Sequence, residues 1–155
     1  MASGSRNRVE VLHGVNFDML GKRDPEHYGD ATLPELELKV KRFATDLGLE
    51  VTFFQTNHEG EYVERLHRLP EMADAAILNP GAWTHYSYAI RDALDFSGVP
   101  AIEIHLSDIS KREEFRTISV FEGLDSVIAR IYGKRADGYR EALEVIAGHL
   151  GVDAP

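Results

Sequence analysis

The chain has 155 residues, 43% of them hydrophobic, and a formal net charge of −9 at pH 7. That length suits one compact domain, since a chain of this size buries about two thirds of the surface its unfolded form exposes. The acidic balance argues against a nucleic-acid or anionic-membrane surface, and the absence of cysteine excludes a disulfide framework, a thiol nucleophile and a thiolate metal site.

Residues 1–8 are polar and small without an apolar h-region, so they read as a disordered tail and not as a signal peptide. Residues 9–12 predict the first strand. The loop over 14–29 is long and polar with Gly and Pro, a segment expected to be mobile and able to close over a ligand. Thr32 and Glu35 have capping-box spacing with Pro34 in the first turn, and Leu33, Leu36, Val40, Phe43, Ala44 and Leu47 recur at helical spacing until Gly48. A second strand is expected over 49–55. Tyr62, Val63, Leu66 and Leu69 then predict a helix ending before Pro70, followed by a third strand over 75–78. The third helix is expected from about 84 to 96, with Tyr86, Ala89, Ile90, Ala93 and Leu94 as its apolar face, and the fourth strand over 99–105. After a less regular stretch come a strand over 126–131, a helix over 138–150 carrying Tyr139, Ala142, Leu143, Ile146 and Leu150, and a tail over 151–155. Short apolar runs alternating with helical patterns predict an α/β, flavodoxin-like three-layer sandwich: one domain over 9–150, with a five-stranded parallel sheet of order 2-1-3-4-5. No run is long enough to span a bilayer, so no membrane is implied and the expected location is cytoplasmic.

In such a fold the loops after strands one, three and four converge at the carboxyl edge of the sheet, where ligands bind. The richest segment is Glu103-Ile104-His105-Leu106-Ser107 together with the residues up to Arg116. Ser110 and Glu113 have capping-box spacing, which predicts a helical turn that sets Arg112 and Arg116 on one face, aimed at one anion. Asn79-Pro80-Gly81-Ala82-Trp83-Thr84-His85 is a strand-to-helix turn whose backbone amides can meet a polar ligand. Gly14 to Lys22 has two residues too many for a phosphate-binding loop, with Arg23 where a Ser or Thr should hold magnesium. There is no G-x-G-x-x-G, G-x-S-x-G or H-E-x-x-H, the seven histidines lack metal-ligand spacing, and no lysine sits in an apolar strand. No cofactor and no metal are expected, and Tyr, His, Asn, Ser and Arg remain to do any chemistry.

Taken singly, each of these residues has an ordinary structural role. Tyr28 would be a surface tyrosine, His105 a satisfied histidine, Asn79 a turn residue, Asn16 a loop cap, His85 a first-turn group and Ser107 an N-cap; Arg23, Asp92, Arg112 and Arg116 would be solvated charges. Their order tells against that. Asn16 with Leu20-Gly21-x-Arg23-x-Pro25-x-x-Tyr28-Gly29, Asn79-x-Gly81-x-x-Thr84-His85, Arg91-Asp92-Ala93, Glu103 to Ser107 and Arg112-Glu113-Glu114-Phe115-Arg116 run in sequence over residues 9–119, and together they resemble the type II 3-dehydroquinate dehydratases. The resemblance implies a cofactor-free lyase that converts 3-dehydroquinate to 3-dehydroshikimate through an enolate in the shikimate or quinate pathway, and a homo-dodecamer built from trimers.

Residue by residue, it implies Tyr28 as base, His105 as acid, Arg23 as a lid residue stabilising the transition state and Asn16 as the residue orienting a water on the enolate oxygen. Asn79, His85, Arg116 and the Leu106 and Ser107 backbone match substrate contacts, and Asp92 a residue reaching from a neighbouring subunit. The chemistry asks for such groups, because a β-hydroxy ketone loses water only when the α-proton is removed, the enolate is held and the departing hydroxyl is protonated. A phenol is a poor base at neutral pH, so Arg23 and Arg112 are expected beside it. Glu103, two residues from His105 on one strand face, is expected to hold its imidazole.

Two segments depart from the family pattern: His13-Gly14-Val15-Asn16 stands where Asn-Gly-Pro-Asn is common, and 132–138 is longer and less glycine-rich. Two rival readings stand beside this one: from another class, a non-catalytic paralogue that keeps the pocket for regulation or assembly, and, suggested by the altered first loop, a lyase or isomerase acting on a related cyclic polyol acid.

Overall fold

The computed structural model describes residues 6–155, and residues 1–5 of the expected tail lie outside the described residues. Its five strands are β1 (Arg8–His13), β2 (Glu50–Gln55), β3 (Ala75–Asn79), β4 (Ala101–His105) and β5 (Val127–Tyr132). All neighbours pair in parallel, in the order β2-β1-β3-β4-β5. Arg8, assigned to the tail from sequence, instead opens β1. Its guanidinium and backbone N–H both donate to Asp74, which ties the strand start to the turn before β3.

Helices cover both faces, as parallel strands demand. On one face α2 (Leu33–Asp46) and α5 (Ala136–Leu150) bury Leu36, Val40, Tyr139, Leu143 and Ile146 against Val9, Val11, Ile77 and Ile104. On the other, α3 (Glu59–Met72) and α4 (Tyr88–Ser97) bury Tyr62, Leu66, Ile90 and Leu94 against Leu12, Ala76 and Leu78. Among the described residues no helix is long and apolar enough to cross a membrane.

Thr32 caps α2 as its spacing to Glu35 predicts, with Thr32 Oγ1 accepting from the Glu35 N–H and donating to its carboxylate. Three local expectations give way. The helix expected from residue 84 is broken in two: a 3-10 turn over Gly81–His85, then α4, which starts only where the Ser87 side chain accepts the Ile90 N–H. Tyr86, expected on the apolar face, lies at that break and is 60% exposed. The second helix runs past Pro70 to Met72, because a proline in the last turn forfeits a single hydrogen bond.

The Ser110–Glu113 capping box does not form. Asp108 takes both the N–H and the hydroxyl of Ser110, which starts a 3-10 turn over Ile109–Lys111; Arg112 is extended, and a second 3-10 turn spans Glu114–Thr117. Arg112 and Arg116 therefore do not share a helix face.

Candidate active site

At the carboxyl edge the loops after β1 and β3 press together through two glycines. A Cβ on Gly14 would lie 2.2 Å from the Pro80 carbonyl oxygen, and one on Gly81, whose φ is +67°, would lie 2.8 Å from the Val15 carbonyl oxygen. Asn16 also holds a left-handed φ of 71°, which asparagine tolerates, and its N–H donates to Asn57 Oδ1 at 2.8 Å. The resulting cavity is lined by ten of the residues singled out from sequence: Asn16, Arg23, Tyr28, Asn79, His85, His105, Leu106, Ser107, Arg112 and Arg116. Arg112 and Arg116 thus reach one cavity through an extended break and not through a helix. Asp92 alone is not brought in; it is exposed on α4.

His105 sits at the end of β4, 6% exposed, with its Nε2 2.6 Å from Glu103 Oε2, the pairing anticipated from the shared strand face. The carboxylate also accepts from Thr84 Oγ1 and Ser119 Oγ, each at 2.6 Å, and Arg130 Nε lies 3.4 Å from its second oxygen. Burial alone would raise the Glu103 carboxyl, yet these donors hold it below the ordinary carboxylate range. With Nε2 committed to Glu103, Nδ1 is the His105 nitrogen left for the cavity.

Beside it the His85 ring stacks on His105 at 6.4 Å and gives its Nδ1–H to the Ile118 carbonyl at 2.7 Å. Burial pushes this imidazole down, and His105 and Arg116 push the same way against the Ile118 carbonyl. His85 is therefore neutral and offers Nε2 as an acceptor, suited to a ligand hydroxyl.

Tyr28 comes from α1 (Pro25–Tyr28), one helical turn started by Pro25 and capped by the Asp24 carboxylate on the Glu26 N–H. Arg112 Nη1 donates to the phenolic oxygen at 2.7 Å, and the Arg23 guanidinium lies 3.7 Å over the ring. Burial lowers the Arg23 guanidinium; Tyr28 works against this, while Arg112 and Arg116 add to it. Three cations crowded about one polar cavity are a receptor for an anion.

Behind the cavity lies a second buried group that sequence reasoning left as structural. Asn79 Nδ2 donates to Tyr139 Oη at 3.2 Å, so the single Tyr139 proton goes to His13 Nε2 at 2.8 Å. His13 is then the Nδ1–H tautomer, stacked on Phe17 at 4.7 Å, and Asn79 is left with its Oδ1 for the cavity. Burial pushes His13 down to about 3 and Tyr139 up. Val15, Phe17, Ala82 and Ile109 also line the cavity without any signal that single-sequence reading could separate from ordinary packing. Thr84 was visible in a motif, but Ser119 was not.

A phenol held by guanidiniums and an imidazole held by a carboxylate, around a cationic cavity at the edge of a flavodoxin-like sheet, define an enzyme site for proton transfer on a small, hydroxylated anion. Comparison with known proteins narrows the class. The family model described as Dehydroquinase class II matches residues 7–147. The 3-dehydroquinate dehydratase of Syntrophotalea carbinolica is 50% identical over 147 residues, 94% of this chain and 98% of that one; the one from Pelobacter propionicus is 55% identical over 118 residues, 76% and 79%. The crystal structure of type II dehydroquinase from Butyrivibrio crossotus superposes with a TM-score of 0.87 at 36% identity, covering 92% of this chain and 99% of its own. The chain belongs to the class II dehydroquinase family.

Proposed function

We propose that this protein is a 3-dehydroquinate dehydratase that forms 3-dehydroshikimate through an enolate, in the cytoplasm, on the shikimate or quinate pathway. Residues 8–150 act as its one catalytic domain. The observation that carries the assignment of roles is the pairing, in one cavity, of Tyr28 under the Arg112 and Arg23 guanidiniums with His105 held by Glu103.

Tyr28, as phenolate with its oxygen held by Arg112, takes the proton α to the ketone. The enolate charge that develops is met by a water oriented by Asn16 and by the Arg23 guanidinium. His105 Nδ1 delivers a proton to the departing β-hydroxyl, and the bond to Glu103 stabilises the imidazolium that this step draws on. Asn79 Oδ1 and His85 Nε2 accept from ring hydroxyls, while Leu106, Ser107 and Arg116 receive the carboxylate.

The working assembly is a homo-dodecamer of trimers in which Asp92 reaches a neighbour's site. Its exposed place on α4, beside Tyr88 and Phe96 at 69% and 81% exposure, supports this, and light scattering tests it.

The reaction is followed by the ultraviolet absorbance of the conjugated enone product, in the parent and in Tyr28→Phe. Turnover in the parent and its collapse in the variant are expected. A parent that binds the substrate without turnover would make the protein a non-catalytic binder, and one that does neither would rule out this substrate.

A further inference from the structure

The loop after β5 carries a residue in an unusual backbone conformation. Arg135 has φ 51° and ψ −134°, a combination a residue with a Cβ rarely adopts. Glycine would accept it freely, so the side chain must be looked at for a reason. Arg135 Nη2 donates to the Glu26 carbonyl at 2.8 Å, across 109 positions of sequence. That carbonyl belongs to the one-turn helix α1, which is too short to satisfy it internally. The arginine stem runs over Gly29, with its Cδ 3.9 Å from where a Gly29 Cβ would lie. The side chain thus bonds residue 26 and runs beside residue 29, on either side of Tyr28.

The backbone of the same loop is tied to the end of β4. The Arg135 N–H donates to the Leu106 carbonyl at 3.2 Å, and the Gly133 N–H to the His105 carbonyl at 3.3 Å. Neighbouring Lys134 is occupied elsewhere, on Glu141.

We propose that Arg135 is a positioning residue: it latches α1, and with it Tyr28, onto the strand end that carries His105. The latch sets the distance between the two proton-transfer groups before substrate arrives, so less binding energy has to be diverted to closing the segment. This inference rests on Tyr28 acting from α1, as proposed above.

The test uses parent, Arg135→Gly and Arg135→Lys. Two readouts are combined: the rate of tryptic cleavage after Lys22 and Arg23 in the substrate-free enzyme, followed by mass spectrometry, and KM and kcat for 3-dehydroquinate. Arg135→Gly removes the side chain and relieves the strained φ, so its thermal midpoint should hold or rise. Its cleavage rate and KM should each increase about fivefold, the effect of one surface-exposed hydrogen bond to a charged group, with kcat little changed. Arg135→Lys, which keeps a cationic donor, should recover part of both. Parental cleavage and KM in the glycine variant would overturn the latch, as would a change in cleavage with KM unmoved. A Tyr28→Phe enzyme with full turnover would instead remove the role given to Tyr28 and leave the cleavage comparison standing, so the two failures are separable.

Discussion

The two groups to which we assign proton transfer are held in different ways. His105 is fixed by packing: 6% exposed, bonded to a carboxylate that is 2% exposed and that collects further hydrogen bonds from the turn after β3 and the segment before β5. Nothing there has to move for the proton to be in place. Tyr28 sits on a single helical turn with no buried residue, its ring only partly packed against the core, and its ring and oxygen meet the charge of Arg23, from the same loop, and of Arg112, from the segment after β4. One half of the site is an extension of the core, and the other is assembled at the surface by electrostatics. A substrate must enter somewhere, and the half built from charge is the half that can open. Changes on the His105 side should therefore act on kcat and on folding together, while changes on the Tyr28 side should act on kcat/KM and respond to salt.

The strongest way to break this comparison is His105→Ala. Loss of a general acid should lower kcat about 1,000-fold and, by taking a donor from the buried Glu103 carboxylate, lower urea-measured stability by about 2 kcal/mol, with the native circular dichroism spectrum kept in buffer; a fall in kcat below tenfold would mean that the rigid half does not carry the proton. Glu103→Gln comes next, since the amide keeps the volume but its one NH2 turns a donor either toward Thr84 Oγ1 and His105 Nε2 or toward Ser119 Oγ. A loss of about 100-fold in kcat and about 2 kcal/mol in urea-measured stability is expected, and a kcat effect without any stability effect would detach the acid from the core. On the other half, Arg112→Ala should reduce kcat/KM about 30-fold by removing a charge-assisted bond to Tyr28. The deficit should shrink as salt is raised and the parent's own attraction for the anionic substrate is screened. Arg112→Lys should restore part of the loss, because a single Nη1 serves both Tyr28 and Ser107 and an ammonium with three donors can serve both.

The same division explains what could be read from the chain. The sheet order and the α2 start were legible because they follow from short-range signals, alternation of apolar runs and the Thr32–Glu35 spacing. The residues that line the cavity were legible as candidates because they sit in ordered motifs at strand ends, and their resemblance to one family is dense over 9–119. The turn after His105 was misread because Ser110 has two possible partners, and Asp108, two residues away, takes its N–H and hydroxyl before Glu113 can act. The supports of the site were invisible for a different reason. Ser119 meets Glu103 across 16 positions, Asn57 meets Asn16 across 41 and Tyr139 meets Asn79 across 60. Such pairs exist only once register and crossover are set.

A pH-dependent effect tests the least legible of these supports, His13, at a position where the related family commonly has asparagine. Its ring is fully buried, with Nε2 accepting from Tyr139 and Nδ1 without a partner among the described residues, so the native state keeps it neutral down to about pH 3. The unfolded chain takes up a proton near the ordinary value of about 6.5. Between those limits the unfolded state binds more protons than the native one, so native stability increases with pH, is fully present above about 6.5 and is lost as pH falls toward 3. The slope is about 1.4 kcal/mol per pH unit at most. Other carboxylates titrate in the same range, so the quantity to measure is the stability of the parent minus that of His13→Asn, by chemical denaturation at pH 7, 5.5 and 4.5. That difference should fall with pH at close to this slope, whatever its value at pH 7, because the variant has no ring to protonate. A difference that stays constant would mean that His13 accepts its proton in the native state. The proton shared with Tyr139 would then have to turn around, and with it the face that Asn79 presents to the cavity.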